Sequence, residues 1–468
     1  MPPQLQIKLP KDKEKLLLAL FHKGKFSTII QQVQDLRLHF PKDVFLLNIL
    51  GASYAHCNDF TSAIETYSQA ISISPKDAEL HFNLGRAKKM TGDIDGALTS
   101  YQQALRLNPR NATIYNNIGN LWLSKGNLPK AVDNLQMSIK YKSDFAFAHF
   151  NLGCAFQAQQ RFDDAIDSYN KAILHKPDYF EAQHNLIDIL TYHIPNADGS
   201  NSLIKANNAI RSIKMNDISQ SLFLNRDIKA YYKQMYDIVS LYDVEKPWPY
   251  SQIYQRNDVD LNCKRHKSIF EKHNVIPKFC FGCYKVEILP INVADLFKTV
   301  FLFSKLKLQN NNARKCFVEL RPKISGTYKG LIYCSSLDEA ISAKQALADF
   351  TAPHFQKAPQ ISIKRGCSEF GELYPDYKHI NYTGAQKMIY PEAWAAAEDI
   401  YDRQQTFSEK PQITLSILSL SNALTMLNWL SYAKIIGDSS YHDISNNVSV
   451  SKYIETNLKN QITKRVLS

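Results

Sequence analysis

The sequence has no uninterrupted apolar run suited to crossing a membrane. Its longest fairly apolar stretch, Ile413 to Trp429, is punctuated by Thr414, Ser416, Ser419, Ser421, Asn422, Thr425 and Asn428, so a buried or partner-facing helix is expected there. The opening segment MPPQLQIKLPKDKEK carries charge but no apolar run, so no signal peptide is visible and the cytoplasm is the expected compartment. Eight cysteines in 468 residues are too sparse for a disulfide scaffold, and a cytosol would keep them reduced. Several enzyme signatures are also missing: GxxxxGK followed by Ser or Thr, GxGxxG after a strand, GxSxG and HExxH. The usual phosphate loop, dinucleotide fold, hydrolase elbow and zinc-protease helix are not announced.

What is present suits a folded chain of two or three domains. The hydrophobic fraction of 44% argues against global disorder. A net charge of +12 permits an acidic partner without identifying one.

Asn83, Asn117, Asn151 and Asn185 stand at intervals of 34 residues, each followed by an apolar residue. Alignment on Gly51, Gly85, Gly119 and Gly153 gives four units without insertions, 44–77, 78–111, 112–145 and 146–179. Ala63, Ala97, Ala131 and Ala165 recur at one position, followed by the bulky Tyr67, Tyr101, Leu135 and Tyr169 and then by Ala70, Ala104, Ser138 and Ala172. Pro75, Pro109 and Pro177 close three units, with Ser143 in that place in the third. Small residues fit where two helices cross closely, a bulky one fills the adjacent groove, and proline ends a helix because it lacks an N–H.

This pattern resembles the tetratricopeptide repeat, a helix–turn–helix unit. The resemblance implies an α-solenoid over residues 10–194, with 10–43 a degenerate first unit and 180–194 a capping helix. It is similar to the superhelical repeats of O-linked N-acetylglucosamine transferases, in which an asparagine ladder on the inner face holds the backbone of extended peptides. That likeness implies a peptide-binding row at Asn83, Asn117, Asn151 and Asn185, because an amide offers a peptide group both a donor and an acceptor. In the first unit Ile49 holds the ladder position and Asn48 precedes it, so the row begins at Asn83. The competing reading is that Asn-Leu-Gly belongs to the consensus for folding alone. Arg86 and Lys88 have no matching Lys or Arg on later first helices, which disfavours a clamp for terminal carboxylates.

Residues 196–275 read as a helical connector. It contains Asp258–Val259–Asp260, a DxD triplet of the kind that holds the metal of nucleotide-sugar transferases, but no apolar strand precedes it. In 278–368 the order of predicted elements is β-α-β-β-α-β: strands at Phe279–Leu289, Lys315–Leu320, Leu331–Cys334 and Ile361–Lys364, and helices at Val293–Leu308 and Leu337–Phe350. That is an α+β domain of ferredoxin-like arrangement. Residues 369–468 read as a helical extension, with helices from Pro391, in 413–436 and after Val450.

Two chemistries suggest themselves there. Cys280-x-x-Cys283 could join Cys316 and Cys367 in a four-thiolate zinc or iron–sulfur site, with Cys334, His266 and His273 near by in sequence; buried filler is the plainer role for such cysteines. Ten Lys or Arg against three acidic residues between Lys278 and Lys329 raise nucleic-acid binding. Leu331 stands where a base-stacking aromatic is needed, which disfavours it. The leading expectation is a protein-binding adaptor or scaffold that holds an extended peptide. The alternative is an enzyme of unrecognised class, thiol- or metal-dependent or a transferase, whose repeats recruit a protein substrate.

Overall fold

The structure is a computed structural model that describes residues 9–195, 201–214, 222–244, 248, 250–255, 263–310, 312–319, 324–403, 417–446, 448, 450 and 455. Two compact units divide between Tyr179 and Phe180.

The first unit is a solenoid of five helix pairs: α1 (Lys11–His22) and α2 (Phe26–His39), α3 (Val44–His56) and α4 (Phe60–Ile73), α5 (Ala78–Met90) and α6 (Ile94–Leu107), α7 (Ala112–Ser124) and α8 (Leu128–Tyr141), α9 (Ala146–Ala158) and α10 (Phe162–His175). Six helices in a row start on an Asp or Asn side chain: Asp43, Asp59, Asp77, Asp93, Asn111 and Asn127 each accept from a backbone N–H in the first turn. The repeated glycine is demanded by its neighbour. A Cβ on Gly51, Gly85, Gly119 or Gly153 would lie 2.8, 2.7, 2.6 or 2.6 Å from Tyr67, Tyr101, Leu135 or Tyr169 respectively. Ala63, Ala97, Ala131 and Ala165 are fully buried at the same crossings.

Two features go beyond the letter pattern. The turn between the helices of each pair puts one residue in the left-handed region: Gly24, Asn58, Gly92, Gly126 and Gln160, each 34 residues after the last. The first pair therefore shares the turn of the others although it lacks the crossing glycine. Helix α8 ends at Tyr141 with Ser143 in the place of proline, so proline is not what sets the stop there. The N–H of Lys142 closes onto the Ser138 carbonyl, the same closure that ends α4, α6 and α10 in the units with proline.

The second unit begins with α11 (Phe180–Tyr192), which packs on α12 (Ser202–Arg211) and on the late helix Leu420–Ile436. Helix α13 (Asn225–Leu241) follows, then β1 (Gln252–Gln255), α14 (Cys263–His273), a helical turn α15 (Lys278–Phe281), β2 (Tyr284–Leu289), α16 (Val293–Lys305), β3 (Arg314–Val318), β4 (Tyr328–Cys334), α17 (Leu337–Thr351) and β5 (Gln360–Arg365). Short turns α18 (Phe370–Leu373) and α19 (Pro375–Lys378) lead to α20 (Ala393–Arg403) and α21 (Leu420–Ile436). The strands form one antiparallel sheet in the order β1-β3-β4-β2-β5, with Val286 opposite Ile332 on one side and Ile363 on the other.

Helix α16 packs on β3 and β4, and α17 on β2, β4 and β5, covering the side of the sheet that carries Val286, Ile288 and Ile332. The Ser336 side chain caps α17 by accepting from the Glu339 N–H. The apolar stretch near the carboxy terminus is the core helix α21, packed on α11, α12, α13 and α16. Trp248 and Trp429 fasten β1's approach to it, through Trp248 Nε1 to Thr425 Oγ1 at 3.0 Å and Trp429 Nε1 to the Ser251 carbonyl at 2.8 Å. Two expectations change. Cys280 sits in a helical turn after Pro277, with strand pairing starting only at Tyr284, and β1 joins the sheet as an additional edge. The Asp258–Asp260 triplet lies outside the described residues, as does most of the segment after Val450.

Candidate functional site

Successive first helices of the pairs approach one another, α3 touching α5 and α7 touching α9, and their facing sides carry amides. Asn83 donates through Nδ2 to Asn48 Oδ1 at 3.2 Å, and Asn151 donates to Asn116 Oδ1 at 2.9 Å. Asn120 Nδ2 reaches Asn151 Oδ1 at 3.5 Å, and Lys89 Nζ reaches Asn120 Oδ1 at 3.1 Å. Lys89, Asn120, Asn151 and Asn116 thus form a hydrogen-bonded chain across α5, α7 and α9. Burial, reinforced by the Arg86 charge, lowers the Lys89 pKa.

The four sequence-predicted amides are not equivalent. Asn83 and Asn151 are held by neighbouring side chains. Asn117 is half-buried and makes no side-chain hydrogen bond to a described residue. Asn185 is a half-buried residue of α11, in the second unit. Asn48, Asn116 and Asn120 were not singled out as partners in such a chain. A signal for two of them existed: asparagine fills the fifth position of the first helix in alternate units, at Asn48 and Asn116, where Phe82 and Phe150 stand in the others.

In the second unit the four proposed thiolate ligands are not assembled. Strand alternation directs Cys316 to the α16 side of the sheet, where it lines a small crevice with Ile253, Val300, Phe303 and Arg314. Cys280 and Cys367 line a cavity on the opposite face, and Cys283 packs there with Phe317, Leu331 and Tyr333. Burial pushes the Cys280 thiol up and the Cys283 thiol up to about 11, so both are protonated at neutral pH and poor as nucleophiles. His266 is buried and stacks on Phe279 at 5.3 Å. Among the described residues no group of three or more His, Cys, Asp or Glu is placed to hold a metal ion. Cysteine type and spacing suggested the cluster, and the face each strand residue takes separates it.

The cavity has a volume of about 560 Å³. Its floor is the sheet face away from α16 and α17, carrying Lys285, Glu287, Phe317, Lys329, Leu331 and Tyr333. Residues of α14 and of 366–370 line it from above. Glu287 is buried between two ammonium groups, Lys329 Nζ at 3.3 Å and Lys364 Nζ at 2.6 Å. Burial lowers the Lys329 pKa, and Glu287 opposes that shift. Lys285 Nζ donates to Cys367 Sγ at 3.1 Å and lies 5.3 Å from the Tyr333 ring centre. Burial works against its charge, but Cys367 and Tyr333 outweigh it and hold the pKa above the ordinary lysine value.

Residues 51–92 and 90–123 match the family model described as TPR repeat, and residues 146–179 match the tetratricopeptide repeat model. The first unit carries tetratricopeptide repeats. Among solved structures, the chain is similar to MamA at 25% identity, covering 35% of this chain and 95% of that one with a TM-score of 0.33. It is similar to YrrB, described as a TPR protein with an unusual peptide-binding site, at 18% identity over 37% of this chain and 93% of that one, TM-score 0.33. TTC0263, a thermophilic TPR protein of Thermus thermophilus, is similar at 19% identity over 38% and 98% respectively, TM-score 0.33. No curated protein matches the chain. Among the described residues no helix is long and apolar enough to cross a membrane.

Proposed function

We propose that the repeats hold an extended peptide on a concave face lined by their first helices, and that the protein acts as an adaptor or scaffold. The repeats themselves support a protein-interaction role. The observation that carries the finer reading is the division of labour among the amides. Asn83 and Asn151 are pinned by Asn48 and Asn116, while the half-buried Asn117 between them keeps its donor and acceptor for a ligand. Pinned neighbours lower the entropy lost when a peptide backbone docks on the row. Asn185, on α11, is the fourth member of the row by spacing.

For the second unit we read strands β2 to β5 with α16 and α17 as a ferredoxin-like β-α-β-β-α-β module, extended by β1. The order β3-β4-β2-β5 and the placement of both helices on one side support this, and the arrangement by itself assigns no function. Eight cysteines in thiol form suit a reducing compartment such as the cytoplasm. The alternative of a thiol- or metal-centred enzyme is weakened by the high pKa of the buried Cys280 and Cys283 and by the separation of Cys316.

The test uses a peptide selected from a random display library against the full chain, titrated by fluorescence anisotropy. Asn117→Ala should weaken binding about tenfold, the loss expected for one or two well-placed hydrogen bonds, with an unchanged melting temperature. Unchanged affinity in Asn117→Ala would return the asparagines to a folding role.

A further inference from the structure

Lys285 poses a question that the cavity answers. Its ammonium has three N–H donors and is more than nine-tenths buried, and its hydrogen bond among the described residues goes to the sulfur of Cys367 at 3.1 Å. Sulfur is a weak acceptor, so two donors of a desolvated cation are left without a strong one. Lys329 is as deeply buried but is answered by the Glu287 carboxylate, which Lys364 also engages from the other side. Glu287 is therefore committed to two other ammonium groups. Lys285 lines the cavity of about 560 Å³, a volume within the range of small-molecule sites. Beside it the wall turns aromatic and apolar, with Tyr333 directly opposite on the neighbouring strand and Leu331 and Phe317 beyond.

We infer that this cavity binds a small organic anion with a flat aromatic body. The carboxylate or phosphate head takes the open donors of Lys285, and the ring lies along Tyr333 and Phe317. A charge-assisted hydrogen bond in a desolvated pocket supplies the selectivity for an anion over a neutral analogue of the same shape. The apolar wall supplies the preference for a ring over a bare inorganic ion. A nucleic-acid strand fits less well, because His266 and Phe270 of α14 and residues 366–370 line the side facing the sheet.

The experiment titrates the full chain with 2-naphthoate, with neutral 2-naphthamide as the charge-free control and inorganic phosphate as the ring-free control, by isothermal calorimetry. The naphthoate should bind about tenfold tighter than the amide, and Lys285→Met should reduce that ratio to about one while circular dichroism stays unchanged. A ratio near one in the native chain would overturn the proposal. So would a ratio that survives in folded Lys285→Met, or an absence of saturable binding by both naphthoate and phosphate. If Lys285→Met does not fold, Tyr333→Leu decides: naphthoate should weaken several-fold against unchanged phosphate, roughly the value of an aromatic contact, and equal affinity would sink the assignment. A single-stranded oligouridylate that displaces naphthoate at lower concentration than naphthoate itself binds would give the face to a polymer and refute the small-anion reading.

Discussion

The two units keep their polar groups in opposite ways. Among the described residues, the repeat unit buries serines, a threonine, Asn116 and His149, but no Lys, Arg, Asp or Glu. The second unit buries Lys285, Glu287, Lys298, Arg314, Glu319, Lys329 and Arg365. A repeated unit is stabilised by the same apolar crossing copied along the chain, so its specificity can sit in neutral amides on one face. Buried charges do little for stability compared with well-packed apolar residues. The contrast sets neutral amides in the repeats against buried charges in the second unit.

The largest effect should come from breaking the buried charge set. Glu287→Gln leaves Lys329 without its counter-charge and should cost about 3–5 kcal/mol in urea unfolding of the second unit. Adding Lys329→Met should recover most of that loss, and a double variant no better than the single would contradict the pairing. Overpacking the crossing comes next. Gly153→Val forces side-chain atoms into the Tyr169 ring and should cost about 1–3 kcal/mol, read from the melting of the repeats.

The amide chain should respond more gently. Asn151→Ala removes the bonds to Asn116 and Asn120 and should cost about 1–2 kcal/mol, whereas Asn117→Ala should stay within about 0.5 kcal/mol. Equal costs at the two positions would erase the distinction between pinned and available amides.

Acid should weaken both units by the same physics. Burial lowers the His149 pKa, against the hydrogen bond between its Nε2 and the Ser143 carbonyl at 2.8 Å. Burial, with Lys298 adding to it, also lowers that of His354, whose Nδ1 accepts from the Phe223 N–H at 3.0 Å. The unfolded chain then takes up protons that the folded chain resists, so stability is fully present above about pH 6.5 and is lost as pH falls below it. His149→Gln should flatten that dependence in the repeats alone, measured by denaturation between about pH 7.5 and about pH 5. The smallest effect is relief of strain. Gln160→Gly, at the turn position that glycine holds in Gly24, Gly92 and Gly126, should stabilise by about 0.5–1 kcal/mol.

The repeats were legible because their period is strict and each recurring letter has a steric reason. The left-handed turn was not, because glycine supplies it in three units while Asn58 and Gln160 supply it in two, so letter matching hides a shared backbone state. The bonds among the amides were hidden by their longer alternation, in which Asn48 and Asn116 recur only in every second unit. In the sheet, the apolar strands could be read locally. Strand β1, the four-residue Gln-Ile-Tyr-Gln edge, carries too little apolar signal to be seen. The thiolate cluster failed because residue type says nothing about which face of a strand a side chain takes, and Cys316 takes the helix side. The pairing of Lys285 with Cys367 joins residues 82 positions apart, beyond any local pattern.

The most direct measurement is a backbone N-methylation scan of the library-selected peptide against the full chain and its Asn117→Ala variant. If Asn117 reads the backbone, one N-methyl position should weaken binding to the native chain about tenfold and leave binding to the variant unaltered. If every N-methyl peptide loses affinity equally for the two proteins, the amide row does not read the backbone and the central claim is wrong.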